Sequence, residues 1–186
     1  SAKNHGIYVM LCFDNFYNIS TQDEARWYDN PYNDDNGGMC ATVSDFFTNS
    51  SAKAQYKKKL RYIVARWGYS SNIAMWEFWN EVNAAHVFEG VSESAITNWH
   101  NEMSTYLKSI DPFGHLVTSS ISCTQISGLW SVSDIDFSQA HDYDNQTELD
   151  DIYSRIVSYE NTYSKPHVVG EFSYVSTEPR AENPAT

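Results

Sequence analysis

The chain has 186 residues, with 24 Asp and Glu against 12 Lys and Arg and a formal charge of -12. That excess of negative charge argues against nucleic acid and anionic membrane surfaces as partners, because both recruit basic faces. Six Trp, 13 Tyr and 9 Phe instead suit a neutral ligand such as a carbohydrate, whose apolar sugar faces stack on aromatic rings.

In chain order, "GIYVMLCF" (6–13) is a short continuous apolar run and predicts a strand buried on both faces, the mark of a parallel sheet. A long polar and aromatic loop follows. A helix is predicted over 51–67, with Leu60, Ile63, Val64 and Trp67 on its inner face and Gly68 as its stop. "IAMWEFW" (73–79) predicts the second strand. The second helix spans 92–110, with Ser92 as N-cap, Ile96, Trp99, Met103 and Ile110 inward, and Pro112 just beyond. "HLVTSSIS" (115–122) and "IDFSQAHDY" (135–143) predict two more strands. A helix over 147–163, with Leu149, Ile152, Ile156 and Tyr159 inward, leads to a last strand, "PHVVGEFSY" (166–174). Strands alternating with helices predict parallel βαβ units.

Three cysteines, Cys12, Cys40 and Cys123, fit neither a zinc site nor a CxxC redox pair. The histidines are scattered, with no HxH or HExxH, and no glycine-rich turn follows the first strand. No metal and no cofactor is therefore expected. Asp34-Asp35-Asn36-Gly37 is acidic but lacks the rest of an EF-hand spacing. Sequons stand at Asn18-Ile19-Ser20, Asn49-Ser50-Ser51 and Asn145-Gln146-Thr147.

Polar residues gather where the strands end: Asp14-Asn15, Asn80-Glu81, Ser119-Ser120, His141 to Tyr143, and Glu171. In parallel α/β folds, ligands bind at the carboxyl ends of the strands. Glu81 lies at the mouth, and Glu77 lies ~13 Å deeper at ~3.3 Å per residue. A carboxylate that deep demands an arginine or hydrogen-bond donors, so Glu77 is expected to be structural. Gly170, beside Glu171, leaves room for close approach of backbone or ligand. Two glutamates at one mouth are the minimum set for cleaving a glycosidic bond: one protonates the leaving oxygen and the other attacks, or activates water at, the anomeric carbon.

"WEFWNEV" resembles the acid/base strand of the clan A glycoside hydrolases, and "KPHVVGEFSY" their nucleophile strand. "HDY" (141–143) is similar to the His-x-Tyr of glycoside hydrolase family 5. The resemblance implies a (β/α)8 TIM barrel and a retaining β-glycanase acting on cellulose, xylan or mannan. It implies Glu81 as general acid/base and Glu171 as nucleophile. Asn80 would bind the sugar 2-hydroxyl, Tyr143 would orient Glu171, and His141 would line the same subsite. Asp14 or Asn15 stands where family 5 enzymes often carry a histidine. Trp27 and Trp130 are expected to border the cleft as stacking platforms for the sugar.

The chain reads as one catalytic-domain segment, 1–186, carrying about five of the barrel's eight strands, the third to the seventh. The remaining barrel segments are expected from another chain, a second copy or further sequence. A polysaccharide or oligosaccharide is the expected substrate, with no nucleic acid or membrane partner. Secretion is expected, with no signal peptide in this segment. The rival reading is a non-catalytic carbohydrate-binding barrel fragment, against which the paired glutamates count.

Overall fold

A computed structural model describes residues 2–22, 26–122, 124–143 and 149–172. The expectations at Cys123, at the 145–147 sequon, at the end of the last strand and along the tail lie outside these residues, as does the Leu149 side chain. Five strands are described: β1 (Val9–Asn15), β2 (Ile73–Asn80), β3 (Leu116–Thr118), β4 (Ser138–Asp142) and β5 (His167–Phe172). β1, β2 and β3 pair in parallel, as do β4 and β5. A parallel bridge between Ile121 and Ala140 joins the two groups, so the strands run side by side in sequence order.

The helices α2 (Ser50–Trp67), α4 (Glu93–Ile110) and α5 (Leu149–Tyr163) carry the crossovers. Two further short helices, α1 (Val43–Thr48) and α3 (Asn83–Val87), precede α2 and α4. α1 starts on a capping box: the Thr42 hydroxyl accepts from the Asp45 amide, and the Asp45 carboxylate accepts from the Thr42 amide at 2.9 Å. Asn49 caps α2 by accepting from the Ser51 and Ala52 amides, and its own amide group donates to the Met39 carbonyl. Ser92 caps α4, as its sequence predicts.

Gly68 ends α2 in a right-handed conformation, not the left-handed one that usually selects glycine. It is glycine because a Cβ there would lie 2.7 Å from the Val64 carbonyl oxygen. The buried row of α2 runs Ala52, Tyr56, Leu60, Val64 in steps of four, and Trp67 falls one position off that row. Trp67 is therefore 43% exposed, contrary to expectation, and Ile63 is half-buried. In α4, Ile96, Trp99, Met103 and Leu107 face the sheet. Ile152, Ile156 and Tyr159 of α5 are half-buried.

Trp99 centres the core, with its ring 4.8 to 6.1 Å from those of Phe46, Phe47, Tyr56, Phe78 and Trp79. Most of these contacts are edge-to-face, the arrangement that the ring quadrupoles favour. This cluster fastens α1, α2 and α4 to the carboxyl end of β2, where the glutamate pair begins.

Candidate active site

Alternation along β2 sorts its side chains. Trp76 and Phe78 face the helices: the Trp76 indole donates to Asp111 at 3.0 Å, and Phe78 packs on Trp99 and His100. Glu77 points to the other face, where it is 4% exposed. Its Oε1 accepts from the Gln139 amide of β4 at 3.1 Å. Burial pushes the Glu77 carboxyl up, while hydrogen bonds from Ser120 and Cys12 pull it down. An amide, a hydroxyl and a thiol thus serve where an arginine was one of the expected partners. Burial and the Glu77 charge raise the Cys12 thiol to about 12, so it stays protonated.

Gly170 answers to the same group. A Cβ at 170 would meet Gln139 Nε2 at 2.6 Å and its Cδ and Cγ at 3.1 Å. The space beside Glu171 is thus filled by the side chain that supports Glu77.

At the mouth, Glu81 follows β2 with φ 58, a left-handed conformation that non-glycine residues rarely adopt. Its amide donates to the Ser120 hydroxyl at 3.0 Å. Its Oε1 lies 2.8 Å from His141 Nδ1. The His141 side chain is 1% exposed, and its Nε2 lies 3.7 Å from Glu171 Oε1. The β4–β5 ladder slips between Ala140 and His141, skipping Gly170 and setting His141 opposite Glu171. The Tyr143 hydroxyl donates to Glu171 Oε2. That bond to a carboxylate raises the hydroxyl to about 12. Two hydrogen-bonded pairs, Glu81–His141 and Tyr143–Glu171, therefore meet at the carboxyl end of the sheet, with the His141 ring reaching from the first toward the second.

Asn80 pairs with Asn15 across β1 and β2 and helps line a cleft of about 420 Å³ with Cys12, Asp14, Tyr17 and Asn18. Asp14 is at this rim, but its carboxylate is held by Lys59 at 2.7 Å and by the Tyr56 hydroxyl at 2.8 Å. Burial raises the Asp14 carboxyl and the Lys59 charge opposes that shift. Its oxygens hold α2 to β1 at the edge of the same cleft.

The expectation that Trp27 and Trp130 are stacking platforms is corrected. They are 4% and 0% exposed and belong to the hydrophobic core. A stacking platform needs a free ring face. Each tryptophan lies in a short 3-10 turn, and its ring is folded inward. The sequence pointed to Ser119 and Ser120 only as polar strand-end residues, and Gln139 carried no signal at all.

Comparison with known proteins identifies the family. The family description "GH family 5 beta-mannosidase-like" matches residues 10–171. Mannan endo-1,4-beta-mannosidase A of Aspergillus aculeatus is 32% identical over 126 residues, 63% of this chain and 28% of that protein. The enzyme of the same name from Podospora anserina is 36% identical over 125 residues, with the same coverage of each chain. The chain thus spans less than a third of the length of these relatives. Among solved structures, the exo-beta-1,4-mannosidase of Opitutaceae bacterium strain TAV5 aligns with a TM-score of 0.55 at 15% identity, over 72% of this chain and 28% of that one. A glucosidase from Croceicoccus marinus aligns with a TM-score of 0.55 at 11% identity, over 88% of this chain and 44% of that one. The structural likeness is one of fold: the parallel α/β arrangement of barrel-type glycoside hydrolases.

Proposed function

This chain belongs to the glycoside hydrolase family 5 β-mannosidase-like family, and we propose that it cleaves β-1,4-linked mannan by retaining double displacement. Glu171 attacks the anomeric carbon while Glu81 protonates the departing glycosidic oxygen. A covalent glycosyl-enzyme forms on Glu171. Glu81, now ionised, takes a proton from water as that water attacks the anomeric carbon, and Glu171 leaves. Asn80 binds the sugar 2-hydroxyl next to the bond that breaks. Tyr143 keeps Glu171 ionised and oriented, and His141 holds the two carboxyls in one frame.

The observation that carries this reading is the buried imidazole of His141, with Glu81 at one nitrogen and Glu171 at the other. Two solvated loop-edge acids would have no reason to converge on one enclosed ring. Mannan as substrate and attack within the polymer rest on the curated relatives, which are mannan endo-1,4-beta-mannosidases by name. A polymer too large to cross a membrane places the enzyme outside the cell. Among the described residues, β1 and β5 each end the strand order with one unpaired edge. Further strands, from more polypeptide, another chain or a second copy, would satisfy those backbone groups and close the barrel.

Reducing-sugar release from β-1,4-mannan, cellulose and xylan tests the reading. Cleavage of mannan above the other two, lost in Glu171→Ala, is expected. Equal inertness toward all three polymers, with mannan bound, would favour the non-catalytic reading.

A further inference from the structure

The β2–β3 ladder ends at Glu77 and Thr118, yet the chain goes on three residues further to Asn80 and then Glu81. β1 still pairs with this last stretch on one side, and on the β3 side a pair of serines holds it. The Trp79 amide donates to the Ser119 hydroxyl at 3.2 Å, and the Glu81 amide donates to the Ser120 hydroxyl at 3.0 Å. Two residues apart, these amides keep the spacing of a strand ladder, but their acceptors are side chains instead of carbonyls. Around them, the Ser120 amide donates to the Trp79 carbonyl at 2.8 Å and the Val82 amide to the Ser120 carbonyl at 3.0 Å. Glu81 is thus bracketed on both sides by one serine.

The serines are themselves fixed. Ser119, Ser120 and His100 are all 0% exposed. His100 Nδ1 lies 2.8 Å from the Ile96 carbonyl, which can only accept, so Nδ1 carries the proton. Nε2 is then the acceptor for the Ser119 hydroxyl, 2.8 Å away. That leaves a Ser119 lone pair for the Trp79 amide. The protons in the run from His100 through Ser119 to the Trp79 amide thus have one direction.

This arrangement has a purpose at Glu81. A glutamate at φ 58 gains nothing intrinsic from that conformation. We propose that Ser120, braced by Ser119 and His100, is a positioning residue that holds the left-handed turn at Glu81 and so delivers its carboxyl to the reacting bond. The inference rests on the reading of Glu81 as acid/base.

The test is Ser120→Ala in the intact enzyme, assayed on two aryl β-mannosides. One carries a dinitrophenol leaving group, which departs without a proton; the other carries a poor leaving group that needs one. The quantity read is kcat/KM, which reports the first displacement. Removing the hydroxyl should lower the value for the poor leaving group by roughly 10–100-fold and leave the dinitrophenyl substrate near wild type. Ser120→Cys, similar in shape but a weak acceptor, should fall between. Where the alanine variant does not fold, the cysteine variant carries the same comparison.

Equal losses on both substrates, or no loss on either, would overturn the proposal, since general destabilisation does not distinguish leaving groups. Glu81→Ala, assayed in parallel, separates the two claims. If it shows no leaving-group dependence, the acid/base reading fails. If it does and the Ser120 variants do not, only the positioning role fails.

Discussion

The Nδ1 of His141 lies 2.8 Å from the Oε1 of Glu81, although 60 residues separate them in the chain. The same ring reaches toward Glu171 at 3.7 Å with its other nitrogen. His141→Phe should keep a buried ring while removing both polar contacts. The expected result is a fall in kcat approaching 10²-fold, the cost of about 1 Å of misplacement, with a smaller change in KM. Steady-state kinetics on mannan checks it, and an unchanged kcat would reduce His141 to packing.

Tyr143 gives a pH prediction. Its hydroxyl is raised to about 12 by the bond to Glu171, against an ordinary value of about 10. The folded value lies above the unfolded one, so the stabilising contact is complete below pH ~10 and disappears as pH rises through about 12. The alkaline ultraviolet titration of wild type minus that of Tyr143→Phe should show one tyrosine ionising near pH 12. In Glu171→Gln the same difference should move back toward ~10.

His100 predicts acid sensitivity. Burial lowers it from 6.5 to about 4, so the unfolded chain takes up this proton before the folded one does. Stability should therefore fall as pH drops from 6.5 to 4. The full effect of this one group is of order 3 kcal/mol. His167, also lowered to about 4 by burial, adds to the same window. Urea melts at stepped pH should show a shallower acid loss for His100→Gln than for wild type, from a lower starting stability.

Gly170 and Gln139 are predicted to be coupled. Gly170→Ala should displace the Gln139 amide from Glu77 and cost ~1–3 kcal/mol, the usual penalty for overpacking. In a Gln139→Ala background the obstruction is gone, and adding Gly170→Ala should cost close to nothing. A double-mutant cycle by denaturant unfolding checks this, and simple additivity would contradict it.

The parallel βα order was legible because β1, β2 and β5 carry compact apolar runs and α4 announces itself with Ser92 and Pro112, whereas β4 is the polar run SQAHD, preceded by Ile135 and Phe137. The strand ends were legible for the same reason, since polar residues stop those runs; hence Glu81, His141, Tyr143 and Glu171. What decides burial in the long loops is tertiary. Trp27 stands among polar neighbours and Trp130 in a short loop with no periodicity, and only the turns that fold them inward show that they are core. Asp14 reads as a free strand-end acid until Lys59 and Tyr56 of α2 come alongside. α1 was hidden by its length, though Thr42 and Asp45 carry its capping signal.

The central claim is that Glu171 is the nucleophile of a retaining mannosidase. Incubation with 2-deoxy-2-fluoro-β-mannosyl fluoride slows the second displacement and lets the glycosyl-enzyme accumulate. Mass spectrometry of the digested protein should then find one fluoromannosyl group, on the peptide containing Glu171 and absent in Glu171→Gln. A label on Glu81 or elsewhere, or turnover of mannan with no labelled peptide, would contradict the account.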